Sequence, residues 1–144
     1  MTQMSSAQAI ARLMKRPPVG ASELLGQEPL EIDAARGYAR MAYQGKPDFC
    51  NHLGVIQGGF LSAMMDEAMA IAATAARGFD YVVPTLGMKT SYLAAVAPGR
   101  VIAEGQVVRA EERLVFLEGK IFDHDGELAA VASATARFRK VPWK

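Results

Sequence analysis

Residues 60–76 place Phe, Leu, Met, Ala or Ile on nearly every side of a helix, and no other stretch constrains the fold as tightly. A helix without a broad solvated face is buried on most sides, so the rest of the chain has to supply a surface that wraps it. Arg77-Gly78 closes the stretch with a basic last turn and a glycine stop. The wrapping surface lies downstream. Residues 81–94, 99–109, 114–123 and 127–141 are long segments rich in Val, Ile, Thr, Phe and Tyr. Pro98-Gly99 separates the first two, acidic residues 110–112 the next, and Asp125-Gly126 is a tight-hairpin signal between the last two. In the last segment Leu128, Ala130, Ala132, Ala134, Ala136 and Phe138 share one face, and Ser133, Thr135, Arg137 and Arg139 the other. Small residues on the first face would let a helix lie close against the sheet. The expected architecture is α+β, a long antiparallel β-sheet wrapped around one central α-helix.

Upstream, residues 5–16 have Ala9, Ile10, Leu13 and Met14 at helical spacing, with Ser5 or Ser6 as N-cap and Pro17-Pro18 as terminator. Residues 30–43 read as extended with a bend near 34–37, residues 45–48 as a loop, and 49–57 as an irregular approach to the glycines. The chain thus divides into an N-terminal helix and linker, 1–27, and a main domain, 28–144. No internal repeat or low-complexity tract interrupts it.

A chain of 144 residues with 51% apolar and 22% charged residues suits one globular domain. A net charge of +1 points away from nucleic acid as a partner. Residues 60–76 are too short and too acidic at Asp66-Glu67 to span a bilayer, and residues 1–16 lack the apolar core of a signal peptide. The single cysteine, Cys50, rules out an internal disulfide and fits a reducing, cytoplasmic location. Two well-separated histidines give no metal-ligand set.

The chemistry concentrates where the central helix begins. Gly58 and Gly59 leave the N–H groups of a helix N-terminus unobstructed, which suits an oxyanion hole for acyl transfer; the same pair would also serve tight helix–sheet packing. Asp66, among Met64, Met65, Ala68 and Met69, is either part of a narrow solvated stripe with Glu67 or a carboxylate nucleophile or base. Neighbouring helical residues point about 100° apart, so one of the two faces elsewhere. Eight residues of helix put Gly58 and Asp66 about 12 Å apart, too far to act on one carbonyl from one chain. If this is an acyl-transfer site, two antiparallel copies of the helix across a two-fold axis would join Gly58 of one subunit to Asp66 of the other.

Asn51, Gly58 and Asp66, spaced by seven and then eight residues, resemble the pattern of the hotdog-fold acyl-CoA thioesterases of the phenylacetate-degradation (PaaI) type. Residues 85–93, running toward Pro98-Gly99, are similar to the strand that supplies a Ser or Thr to that family's site, a place held here by Thr85. The Asp-x-Asp-Gly turn at 123–126 fits as well, and the resemblance covers about residues 28 to 140. It implies a long sheet around a central helix and a homodimer with sites at its interface, commonly paired again into a tetramer. It also implies cofactor-free hydrolysis of an acyl-CoA. In that scheme the Gly58 N–H polarises the thioester carbonyl, and Asp66 of the partner subunit attacks it or activates water. Asn51 positions the carbonyl or the water, and Thr85 orients Asp66. The histidine usual before the glycine pair is Gln57 here, an amide that can also donate and accept.

Gln57, Gly59, Met65 and Glu67 are expected to contact substrate, and Arg137 and Arg139, with Lys140 beside them, to grip CoA phosphates. Met64, Met65 and Met69 would fill the core or shape an acyl pocket. His52, His124 and Cys50 are weaker candidates, being a loop residue, a turn residue and a small buried side chain. Two other functions fit the same fold. An enoyl-thioester hydratase would need an acid–base histidine, for which only His52 is at hand. An acyl-CoA-binding sensor of gene expression would need a DNA-binding region, for which residues 1–19 are too short.

Overall fold

The computed structural model describes residues 3–142. Its elements are helices α1 (Ser6–Met14), α2 (Ala21–Leu24) and α3 (Gly58–Ala76), and strands β1 (Glu28–Asp33), β2 (Tyr38–Gly45), β3 (Tyr81–Val82), β4 (Thr85–Tyr92), β5 (Gly99–Ala110), β6 (Leu114–Phe122), β7 (Leu128–Arg137) and β8 (Arg139–Lys140). Six strands make one sheet in the order β1-β2-β5-β6-β7-β4, antiparallel throughout, and β3 pairs separately with β8. The expected α+β architecture, a long antiparallel sheet around one helix, is the one observed. Among the described residues no helix is long and apolar enough to cross a membrane.

Helix α3 is buried along its length: Leu61, Met64, Met65, Ala68, Met69, Ile71, Ala72, Ala73 and Ala75 all lie in the core. It ends in a Schellman motif. Gly78 is left-handed at φ +66°, its N–H donates to Ala75 O at 3.0 Å, and the Phe79 N–H donates to Thr74 O at 2.9 Å. Arg77 sits at this cap, donating to Glu111 O at 2.6 Å with its guanidinium carbon 3.9 Å from the Phe138 ring centroid. The alanine face of β7 is buried as its alternation requires, yet the closest approach of helix to sheet falls on β5 and β6. A methyl on Gly105 would stand 2.4 Å from Ala68 O, and one on Gly119 would stand 3.2 Å from Met69 Sδ. These two glycines, side by side in the β5–β6 register, form the seat of the helix.

Two segments expected as single strands are each broken. Proline has no N–H for a ladder, and at Val83-Pro84 the chain leaves the small β3–β8 ribbon and enters the main sheet as β4. Opposite it, the strand expected over 127–141 divides at Phe138 into β7 and β8. The linker expected before residue 28 holds the short helix α2, and Pro47–Phe49 form a single 3-10 turn inside the expected loop.

The N-terminal segment shares the core of the main domain. Ser5 makes the capping box with Gln8, Ala9 is fully buried, and Ser6 Oγ accepts the Ile32 N–H of edge strand β1 at 3.0 Å. That edge also carries Pro29, Glu28 and Glu31, the usual guards against strand addition. Among the described residues the other edge, β4, has no helix or proline over it, and its six exposed positions carry a single charge, Lys89.

Candidate active site

The chain arrives at α3 through a loop pinned on several sides. Cys50 bridges to Ile56, the Ile56 N–H donates to Val96 O at 2.8 Å, and the Phe49 and Phe60 rings stack at 4.2 Å across the loop's base. Within it Asn51 makes an Asx turn: its Oδ1 accepts the Leu53 N–H at 2.9 Å, which leaves the amide NH₂ pointing to no partner among the described residues. His52 and Leu53 stand exposed at the loop's tip. Gln57 is the N-cap residue of α3, extended at φ −60° and ψ 139°, but its exposed side chain caps nothing. The first-turn N–H groups of Gly58 and Gly59 have no intrahelical acceptor and sit at the positive end of the helix.

The two glycines differ. A methyl on Gly58 would meet Tyr92 Cζ at 2.7 Å, whereas one on Gly59 would meet nothing within 4 Å. Tyr92 OH donates to Gly58 O at 2.9 Å and lies 2.6 Å from Ser62 Oγ, which in turn lies 2.8 Å from Thr90 Oγ1. Beside them opens a cleft of about 460 Å³ lined by Ile56, Gly58, Leu61, Tyr92 and Val96. The sequence alone did not single out Ser62, Thr90 or Tyr92. The signal available was parity, because Thr90 and Tyr92 share one face of β4.

Two turns further along α3, Asp66 is half-buried and Oδ1 accepts a hydrogen bond from Thr85 Oγ1 at 2.6 Å. Strict alternation would send Thr85 to the opposite face of β4 from Thr90 and Tyr92. The ladder with β7 slips register between Thr85 and Gly87, and this bulge turns Thr85 onto the helix side. Asp66 Oδ2 accepts nothing among the described residues. The structure thus brings Asp66 and Thr85 together, and in one chain it leaves Gly58 and Asn51 at the other end of the helix segment.

Glu67 faces the other way. Its carboxylate accepts from Ser22 Oγ at 2.6 Å, Gln27 Nε2 at 2.6 Å and Tyr43 OH at 2.9 Å, tying the N-terminal segment and β2 to α3. Tyr43 is fully buried, and burial together with the neighbouring Glu67 charge pushes its hydroxyl far above the usual tyrosine range. With three donors on its carboxylate, Glu67 ties three segments together within one chain. Met65 is fully buried in this chain, packed over Gly119. Arg137 and Arg139 are exposed; the Arg137 N–H donates to Pro84 O at 3.0 Å, one residue before Thr85, and Arg139 pairs with Val82.

The family model of the thioesterase superfamily matches residues 53–130, a span that holds Gly58, Asp66 and Thr85 and begins two residues after Asn51. No curated protein matches the chain. Among solved structures, a phenylacetic acid degradation-related protein of Ralstonia eutropha is 27% identical and superposes with a TM-score of 0.81, covering 90% of this chain and 98% of its own. A conserved protein of Pseudomonas aeruginosa is 29% identical, TM-score 0.79, over 88% and 98%. The N33D mutant of the phenylacetic acid degradation protein PaaI of Thermus thermophilus is 28% identical, TM-score 0.71, over 82% and 96%. With more than half its length matched, the chain belongs to the thioesterase superfamily; its sheet wrapped around α3 is the hotdog fold, and it is similar to the phenylacetic acid degradation proteins among these structures.

Proposed function

We propose that the protein hydrolyses acyl-CoA thioesters to free acid and CoA, without metal or cofactor, at two equivalent sites shared across a homodimer. The observation that carries this reading is the Asp66 carboxylate: set in a largely apolar helix, held at one oxygen by Thr85 and open at the other. One oxygen fixed and one unpartnered is the arrangement a nucleophile or general base needs. The polarising N–H groups of Gly58 and Gly59 lie about 12 Å away along the same helix, so the second half of each site comes from a partner copy.

Strand β4 supplies the place for that partner. It is the uncovered edge of the sheet, it carries Thr85, and it exposes Leu86 (58%) and Tyr92 (51%), with Leu93 (58%) just beyond its end. Antiparallel pairing of two β4 edges sets Gly58 and Asn51 of one protomer against Asp66 and Thr85 of its partner. There the glycine N–H groups receive the developing oxyanion, and the carboxylate attacks the thioester carbon or takes a proton from water. The C–S bond then breaks and CoA leaves as thiolate. In the first case water hydrolyses the acyl anhydride left on Asp66, and in the second the deprotonated water is what has added to the carbon. Arg137 and Arg139, exposed on the strands that pair with residues 82–85, suit the phosphates of CoA.

The test is release of free CoA from a panel of aryl-acyl and short- to long-chain acyl-CoAs, with wild type beside Asp66→Asn. Turnover that collapses in the variant supports the reading. Tight acyl-CoA binding without turnover by either protein replaces it with a binding module.

A further inference from the structure

Beyond its place on the exposed β4 edge, Tyr92 touches the peptide group on which carbonyl polarisation depends. Its hydroxyl donates to Gly58 O at 2.9 Å, and its ring occupies the space a side chain at position 58 would need. A tyrosine hydroxyl has one proton, and here that proton is committed to Gly58 O. Ser62 Oγ, 2.6 Å away, must therefore donate to Tyr92 OH, and Thr90 Oγ1, 2.8 Å from Ser62, must donate to Ser62. The four groups form a directed chain, Thr90 to Ser62 to Tyr92 to the Gly58 carbonyl. Hydrogen bonds arranged head to tail polarise one another.

The Gly58 carbonyl shares its peptide plane with the Gly59 N–H. A donor on the carbonyl draws electron density toward oxygen and makes that N–H a stronger donor. It also fixes the plane's orientation at the start of α3, where capping is otherwise absent because Gln57 caps nothing. We propose that Tyr92 is a positioning residue for the thioesterase reaction: its hydroxyl, backed by Ser62 and Thr90, holds the Gly58–Gly59 peptide and makes the Gly59 N–H a second donor to the thioester oxygen, beside that of Gly58. This inference rests on the hydrolase reading above. It adds the source of orientation at the oxyanion end of the site, the end that Thr85 does not reach.

The experiment uses Tyr92→Phe, which keeps the ring packed on Gly58 and removes only the hydroxyl. Two measurements are paired. In ¹H–¹⁵N NMR of the intact protein, weakening the donor on the Gly58 carbonyl moves the Gly59 amide proton upfield, while the remote Gly126 amide stays in place. In the CoA-release assay kcat falls about fivefold, the worth of one neutral hydrogen bond, with KM and melting temperature nearly unchanged. A Gly59 amide that does not move overturns the proposal whatever the turnover. So does an unchanged kcat, or a loss confined to KM. Failure of the hydrolase reading itself shows up separately, as no difference between wild type and Asp66→Asn in the same assay.

Discussion

Replacing Gly59 with alanine separates the two roles open to the glycine pair. A methyl at this position meets no atom within 4 Å, and the backbone there is in the ordinary helical range. Alanine is favoured over glycine in a helix by up to about 1 kcal/mol, and roughly half of that is a fair expectation in a first turn. For a chain of 144 residues the unfolding entropy is about 0.3 kcal/mol per kelvin, so Gly59→Ala raises the melting temperature by about 2 °C. The same methyl stands over the N–H groups that receive the thioester oxygen, and losing an oxyanion donor lowers kcat about 10²-fold. The variant is therefore more stable and much less active, read by differential scanning calorimetry and CoA release on one preparation. Full turnover with the stability gain would mean that no substrate approaches Gly59. A loss of stability would mean that the space around it is not open. Gly58→Ala is the contrast: its methyl, 2.7 Å from Tyr92 Cζ, pushes the tyrosine ring aside and removes the hydroxyl bond to Gly58 O.

Gly105→Ala drives a methyl into backbone, 2.4 Å from Ala68 O and 2.6 Å from Met69 Cα, so α3 has to shift; chemical denaturation should show a loss of about 3 kcal/mol or more. Thr85→Val keeps the shape and deletes the 2.6 Å bond to Asp66, and steady-state kinetics should show kcat down at least about tenfold with little change in KM. Tyr43 and Tyr38 both have hydroxyls pushed above the ordinary value of 10.0, Tyr43 by burial and Glu67, Tyr38 by burial and its bond to Glu104. The folded chain keeps these protons when the unfolded chain loses them, so stability is unaffected below about pH 9 and falls as pH rises beyond about 10. Urea unfolding against pH should show this decline, and Tyr43→Phe should remove about 1.4 kcal/mol per pH unit of its slope.

Much of this organisation is legible in the residues. The all-round apolarity of 60–76 gives the buried helix, Arg77-Gly78 its stop, and the alternation through Ala130, Ala132, Ala134 and Ala136 the buried face of β7. The N-cap, expected at Ser5 or Ser6 and found at Ser5, and the tight turn at Asp125-Gly126 are local matters, decided within a few residues. What escapes is whatever depends on register between distant strands. Gly105 and Gly119 become the seat of α3 only because β5 and β6 pair them, and no pattern within either strand marks them. The choice between Asp66 and Glu67 depends on Ser22, Gln27 and Tyr43 converging on Glu67 from two other elements. Thr85 reaches Asp66 through a bulge, which reverses the side its position in the strand would give. The family resemblance had placed Thr85 at the site, but periodicity would have turned it away.

Subunit complementation tests the shared site most directly. Asp66→Asn and Asn51→Ala subunits, each carrying a different affinity tag, are co-expressed and their turnover compared with each variant alone. Mixed dimers have one site with both substitutions and one with neither, so random pairing should restore about one quarter of the wild-type rate, all of it in the doubly tagged fraction. A doubly tagged fraction as inactive as its parents would contradict a site built from Gly58 and Asn51 of one subunit and Asp66 of the other.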